Sequence, residues 1–139
     1  MNIALIGSLT FSKEMTEAKE YLQNNGHNVT LPLDTEAVAD DIEKTEAFKQ
    51  AFENALRDNV MSHGFKRIEE ADAVLMLNYP KNSIDGYIGT SSLMELAIGY
   101  YLKKKLFLLF DIPHWKEASW AYEVKLFQPT ILFGDLKKI

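Results

Sequence analysis

Glu95 is the residue of this chain whose surroundings best suit covalent chemistry. It ends the stretch Gly89-Thr90-Ser91-Ser92-Leu93-Met94-Glu95 and is followed by Leu96, Ala97 and Ile98 in a segment of helical period, with small residues about one turn away at Ser91 and Gly99. Apolar neighbours on both sides predict a partly buried carboxylate, and a carboxylate is costly to ionise away from water unless something partners it. Two readings stay open on these grounds: a glutamate satisfied by a neighbour on the helix surface, or a desolvated carboxylate acting as nucleophile or base. Just upstream, Gly89, Thr90, Ser91 and Ser92 fall at a helix N-terminus, where free amides and hydroxyls favour an anion. Gly7-Ser8, after the first apolar run, repeats that pattern. Neither stretch is specific, because Ser and Thr are also ordinary helix caps. Asp85 lies in the loop before Glu95. Asp72 opens the apolar run Ala73-Val74-Leu75-Met76-Leu77, which on simple geometry puts it at the far end of that run from any site near Glu95.

Other chemistries find little support. The chain has no cysteine, which removes disulfides, thiolate catalysis and cysteine-ligated zinc. His27, His63 and His114 are scattered without metal-ligand spacing, so no metal site and no cofactor is expected. There is no Gly-x-Ser-x-Gly elbow and no Walker phosphate loop. The acidic stretch from Asp34 to Lys44 reads as a solvated loop or lid, with cation binding the lesser alternative. A net charge of −5 argues against binding polymeric nucleic acid, which needs a basic footprint, but leaves room for a small anion held by backbone amides. The apolar N-terminus is short and lacks a basic lead, so it reads as a strand and not a signal peptide. No run approaches a membrane span, and the expected compartment is the cytoplasm.

The elements that must position Glu95 follow from hydrophobic period. At 139 residues, 47% of them apolar and 25% charged, the chain has the size and balance of one domain over residues 1–139. Ile3 to Gly7 is a continuous apolar run, as in a strand covered on both faces. A helix is expected from about Phe11 to Asn25, with Met15, Ala18, Tyr21 and Leu22 on one face and Gly26 past its end. A weaker strand spans His27 to Leu33. A second helix is expected from about Thr45 to His63, broken by Gly64, with a short helical turn from Phe65 to Ala71. A third strand covers Ala73 to Leu77, a loop runs from Asn78 to Ile88, and a helix from Ser91 to Leu102 carries Glu95. Leu106 to Phe110 and Ile131 to Phe133 complete four to five strands. Trp115, Trp120, Tyr122 and Phe127 suggest core packing first, and base stacking or a subunit interface second. Strands alternating with helices imply a three-layer α-β-α, flavodoxin- or Rossmann-like fold with a parallel sheet. In such sheets ligands bind beyond the carboxyl ends of the strands. That rule selects Gly7 to Thr10, Asn78 to Glu95 and Asp111 to Trp115.

Those segments resemble one family. Ile3-Ala4-Leu5-Ile6-Gly7-Ser8 is similar to the first strand and glycine turn of the nucleoside 2-deoxyribosyltransferase-like proteins. Ala71 to Met76 resembles their third strand, Gly89-Thr90 through Tyr100 their catalytic helix, and Lys104 to Leu109 the strand after it. The resemblance spans nearly the whole chain in order. It implies cleavage of the N-glycosidic bond of a (deoxy)nucleoside or its 5′-monophosphate by hydrolysis or base exchange, since the superfamily includes 2′-deoxynucleoside 5′-phosphate N-hydrolases. A non-catalytic nucleotide sensor of the same fold is the alternative, and a flavin-phosphate protein a third. The family's nucleophile maps onto Glu95 and its strand-three aspartate onto Asp72, against the geometric placing of Asp72 above. Gly7, Ser8, Asp85, Gly89, Thr90, Ser91 and Ser92 become the implied substrate-binding set. Four residues separate Thr90 from Glu95, more than the family's usual compact spacing. Ser8, Ser91 and Ser92 suit a 5′-phosphate, although no Arg lies near either loop in sequence. Family sites are commonly completed by a second subunit, so a homo-oligomer is implied, with the Trp120 region as a contributor.

Overall fold

The computed structural model describes residues 1–33 and 48–139. The acidic stretch from Asp34 to Lys44, with its lid and cation readings, and the start of the helix expected from Thr45 lie outside them. Five strands form one sheet: β1 (Asn2–Ile6), β2 (Asn28–Thr30), β3 (Ala73–Met76), β4 (Lys105–Leu108) and β5 (Thr130–Ile131). All neighbours are parallel, in the order β2-β1-β3-β4-β5. The helices are α1 (Ser12–Asn24), α2 (Phe48–Arg57), α3 (Val60–Glu70), α4 (Thr90–Tyr101) and α5 (Ala121–Leu126).

The alternation of side chains along each strand divides the core in two. Ile3, Leu5, Leu75 and Phe107 point to one face, where Met15, Ala18 and Leu22 of α1 cover them. Ala4, Ile6, Val74, Met76, Leu106 and Leu108 point to the other, under Ile68 of α3, Leu96 of α4 and Val124 of α5. Burial on both faces is why the strands read as unbroken apolar runs, and the result is a three-layer, Rossmann-like α/β fold. Helix α4 lies close on the sheet because Gly99 has no side chain: a Cβ there would stand 2.9 Å from Val74 Cγ2 and 3.1 Å from Leu106 Cδ2. Among the described residues no helix is long and apolar enough to cross a membrane.

Three local expectations are corrected. Gly64 does not break a helix; it lies inside α3. The interruption comes earlier, at Asn59, whose backbone is left-handed (φ 51°) just past the end of α2. The physical reason is that α3 and α4 pack side by side, and the Glu95 carboxylate of α4 lies against the bare backbone of Gly64. Strand β2 is confined to Asn28–Thr30. Strand β5 begins at Thr130, and a short helix, α5, occupies part of the aromatic-rich region before it.

The strand order reverses between β1 and β3, since β2 lies to one side of β1 and β4 and β5 continue from β3. The crevice beyond the carboxyl ends of β1 and β3 is therefore where this architecture places a ligand.

Candidate functional site

Helix α4 leaves the carboxyl edge of the sheet after the β3 loop and carries Glu95 in its second turn. Ser92, Leu96 and Gly99 form its buried face. Glu95 is turned toward α3 and lies beside Gly64: a Cβ built on Gly64 would be 3.4 Å from Glu95 Cδ, 3.5 Å from Oε1 and 3.6 Å from Oε2. One turn on, Arg67 donates from Nη2 to Glu95 Oε2 at 3.4 Å; the two side chains are only 15% and 14% exposed. Burial raises the Glu95 carboxyl above the ordinary carboxylate range, and the Arg67 charge only partly opposes this. The same burial lowers the Arg67 guanidinium from its usual value, opposed by Glu95, yet arginine keeps its charge. Glu95 thus reads as a desolvated carboxylate with one cationic partner.

Arg67 does not depend on Glu95 for its place. Its Nη1 donates to Leu5 O at 3.0 Å, to Thr30 O at 3.2 Å and to Thr30 Oγ1 at 3.4 Å. Strand β2 stops at Thr30, and the carbonyls at the end of the β1–β2 ladder find their donor in the guanidinium.

Beyond β1, Gly7 makes the close approach to β3 that its turn requires: a Cβ there would stand 3.2 Å from Leu77 O and 3.3 Å from Met15 Cε. Ser8 Oγ accepts from Thr10 N at 3.3 Å and from Lys81 Nζ at 2.9 Å, and Lys81 also donates to Thr10 Oγ1 at 3.2 Å. Lys81 comes from the loop after β3, 73 positions along the chain from Ser8. Among the described residues it meets hydroxyls and no carboxylate. Ser8 follows Leu5 by three residues, at most about 10 Å of extended chain. The Arg67–Glu95 pair and the Lys81 ammonium therefore both converge on the carboxyl end of β1.

The loop from β3 to α4 is pinned by buried Asn78, which donates to Phe110 O at 2.9 Å and accepts from Phe110 N at 2.8 Å. Gly86 tolerates no other residue, since its φ is +72° and a Cβ would fall 2.2 Å from Asp111 O. Asp85, beside it, is exposed. Gly89 is the N-cap of α4 and makes no side-chain capping bond. Thr90 and Ser91 are exposed at the first turn, whereas Ser92 is buried against the core.

Asp72 is not brought to Glu95. Its carboxylate accepts from Asn2 N at 2.8 Å, and its own amide donates to Asn2 O at 2.8 Å, which places it where β1 and β3 begin. Glu95 and the crevice lie at the other end of the same strands. The register thus sets Asp72 apart from Glu95, at the strand start where the geometric reading puts it.

Two residues of the site had no signal of their own in the sequence reading. Arg67 stands three positions after Gly64, on the same helix face, but a glycine at 64 reads in sequence as a helix end. Lys81 comes to Ser8 only through the fold. A concavity of about 440 Å3 between α4 and α5, lined by Leu93, Ala97, Ser119, Trp120, Glu123 and Phe127, lies on the opposite flank of α4 from Glu95. Leu93 and Ala97 are each two residues, roughly 200° of helix, away from it. Among the described residues no group of three His, Asp or Glu is arranged to hold a metal ion. The chain matches no protein-family model and no curated protein.

Proposed function

We propose that the protein cleaves the N-glycosidic bond of a (deoxy)nucleoside or its 5′-monophosphate, with Glu95 as the nucleophile. One observation carries the reading: a carboxylate held beside the ligand crevice of a parallel sheet, desolvated and fixed through one of its two oxygens. In this reaction Glu95 attacks the anomeric carbon as the carbon–nitrogen bond breaks. The base departs with that electron pair and takes up a proton, leaving the sugar as an ester on Glu95. Water, or a second base, then attacks the same carbon, and the carboxylate is regenerated. The chemistry is that of a retaining glycosidase, with an oxocarbenium-like transition state beside an anionic oxygen. The resemblance of Gly89-Thr90 through Tyr100 to the catalytic helix of the nucleoside 2-deoxyribosyltransferase-like proteins supports the bond chosen.

The Lys81 ammonium over Ser8 and Thr10 supports a 5′-monophosphate over a free nucleoside, because it supplies the cation that a phosphate would meet at the β1 turn. Asp72 has no part in the reaction. We further propose a cytoplasmic homo-oligomer. The exposed Tyr100, Tyr101, Tyr122 and Leu126 beside the α4–α5 concavity support a self-association face.

The test is incubation with a panel of nucleosides and their 5′-monophosphates, with and without an acceptor base. Free or exchanged base is expected, and Glu95→Ala abolishes it. No release from any substrate, or an unchanged rate in the variant, overturns the proposal. A second reading, a nucleotide sensor without turnover, is favoured by the Arg67–Glu95 ion pair, since a paired carboxylate is also a structural one. It requires that a 5′-monophosphate raise the melting temperature without being consumed.

A further inference from the structure

We infer that Arg67, anchored on the sheet edge, holds Glu95 through Oε2 and so leaves Oε1 as the oxygen that attacks. The inference deepens the proposed reaction and rests on Glu95 being its nucleophile.

The division follows from which atoms are engaged. Nη2 of Arg67 meets Oε2, and among the described residues Oε1 accepts no hydrogen bond. No buried side-chain oxygen there lacks a partner, so Oε1 keeps contact with solvent. Gly64 lies against the carboxylate as a whole, since a Cβ there would meet Cδ, Oε1 and Oε2 alike at 3.4, 3.5 and 3.6 Å. Arg67 is fixed by Leu5 O and Thr30 O and so stays in place when Glu95 loses its charge on forming the glycosyl ester. A cation that does not move can hold the carboxylate in one orientation before attack and receive it again as the ester is cleaved, with no reorganisation at either step. Arg67 is thus a positioning residue: it touches Glu95 and not the substrate.

The other charged groups near Glu95 do not compete for this role. On α3, His63, Lys66, Glu69 and Glu70 are exposed. Beneath α4, β3 and β4 contribute Val74, Met76, Leu106 and Leu108, while Asp72 and Lys105 lie at the opposite edge. Glu123 of α5 lines the concavity on the far flank of α4. Among the described residues, Arg67 is the charged side chain that meets the carboxylate.

The test uses the full chain and two variants, Arg67→Gln and Arg67→Lys. The Glu95 carboxyl is titrated by carbon-13 NMR, which needs no turnover, and kcat and KM are measured against pH on the best substrate of the panel. In Arg67→Gln the Glu95 midpoint is expected to rise, the acid limb of kcat/KM to move up with it, and kcat to fall at least tenfold while KM changes less than threefold. Arg67→Lys is expected to restore the midpoint but only part of kcat, since an ammonium cannot span Leu5 O, Thr30 O and Oε2 together. An unmoved Glu95 midpoint in Arg67→Gln, or an unchanged kcat, overturns the role of Arg67. If wild type releases no base while the midpoint still moves, the proposed reaction fails and Arg67 remains the partner that holds Glu95 ionised.

Discussion

Replacing Arg67 by methionine removes a guanidinium that serves four oxygens at once: Leu5 O, Thr30 O, Thr30 Oγ1 and Glu95 Oε2. The carboxylate left behind is 14% exposed and has no other cation among the described residues. Stranding a charge in that way costs about 3–5 kcal/mol, a large share of the roughly 5–15 kcal/mol that holds a domain folded. Glu95→Gln is a different perturbation. Arg67 then keeps three acceptors, the amide fills the carboxylate's volume, and a desolvated charge disappears, so the expected loss is below about 1 kcal/mol. The double variant Arg67→Met/Glu95→Gln no longer strands a charge and is expected to recover at least about 1 kcal/mol over Arg67→Met alone. Urea unfolding at neutral pH measures all four corners of this cycle. The Arg67→Met transition is expected at much lower denaturant with little change in slope. Equal losses for the two single variants, or strict additivity in the double, would refute the idea that Arg67 compensates Glu95.

Other outcomes follow from the same contacts. Lys81→Ala is expected to weaken a 5′-monophosphate by about 10- to 100-fold in kcat/KM, the worth of one charge-assisted hydrogen bond, and to leave the free nucleoside within about threefold; parallel kinetics on the matched pair decide it. Asp72→Asn is expected to leave kcat within about twofold, because its carboxylate serves Asn2 N at the opposite edge, and to lower stability by no more than about 1 kcal/mol in urea. The raised Glu95 carboxyl sets a sign for pH. Because the folded state binds that proton more tightly than the unfolded chain, wild type is expected to gain stability relative to Glu95→Gln as pH falls from neutral through the raised value to the ordinary carboxylate range. Melting both proteins across that range checks the direction, and a constant difference contradicts it.

The sheet and its coverings were legible because they follow from local pattern. Ile3 to Ile6 is apolar at every position since alternate side chains enter two different cores, and the stripe Met15, Ala18 and Leu22 marks α1 through its burial against one of them. The placing of Asp72 was legible too, from the direction in which β3 runs. What stayed hidden is what depends on partners distant in the chain. Glycine reads as a helix breaker when its missing side chain exposes backbone to water, but at Gly64 the Glu95 carboxylate from α4 lies beside that backbone, and the helix continues. The Arg67–Glu95 pair joins residues 28 apart, and its guanidinium is fixed by carbonyls at the ends of two further strands. No periodicity encodes such a meeting. The hydroxyls of Ser91 and Ser92 looked alike in sequence, yet helix phase sends Ser92 into the core and leaves Ser91 at the surface.

The central claim is a covalent bond between Glu95 and a sugar, and mass spectrometry of the intact protein measures it most directly. A 2′-fluorinated nucleoside 5′-monophosphate slows breakdown of the ester by destabilising the oxocarbenium-like transition state, so the intermediate accumulates. The account expects the protein to gain the mass of the fluorinated sugar phosphate, on a peptide containing Glu95, with one equivalent of base released and no gain in Glu95→Gln. Release of base by wild type and Glu95→Gln alike, with no added mass in either, would contradict it.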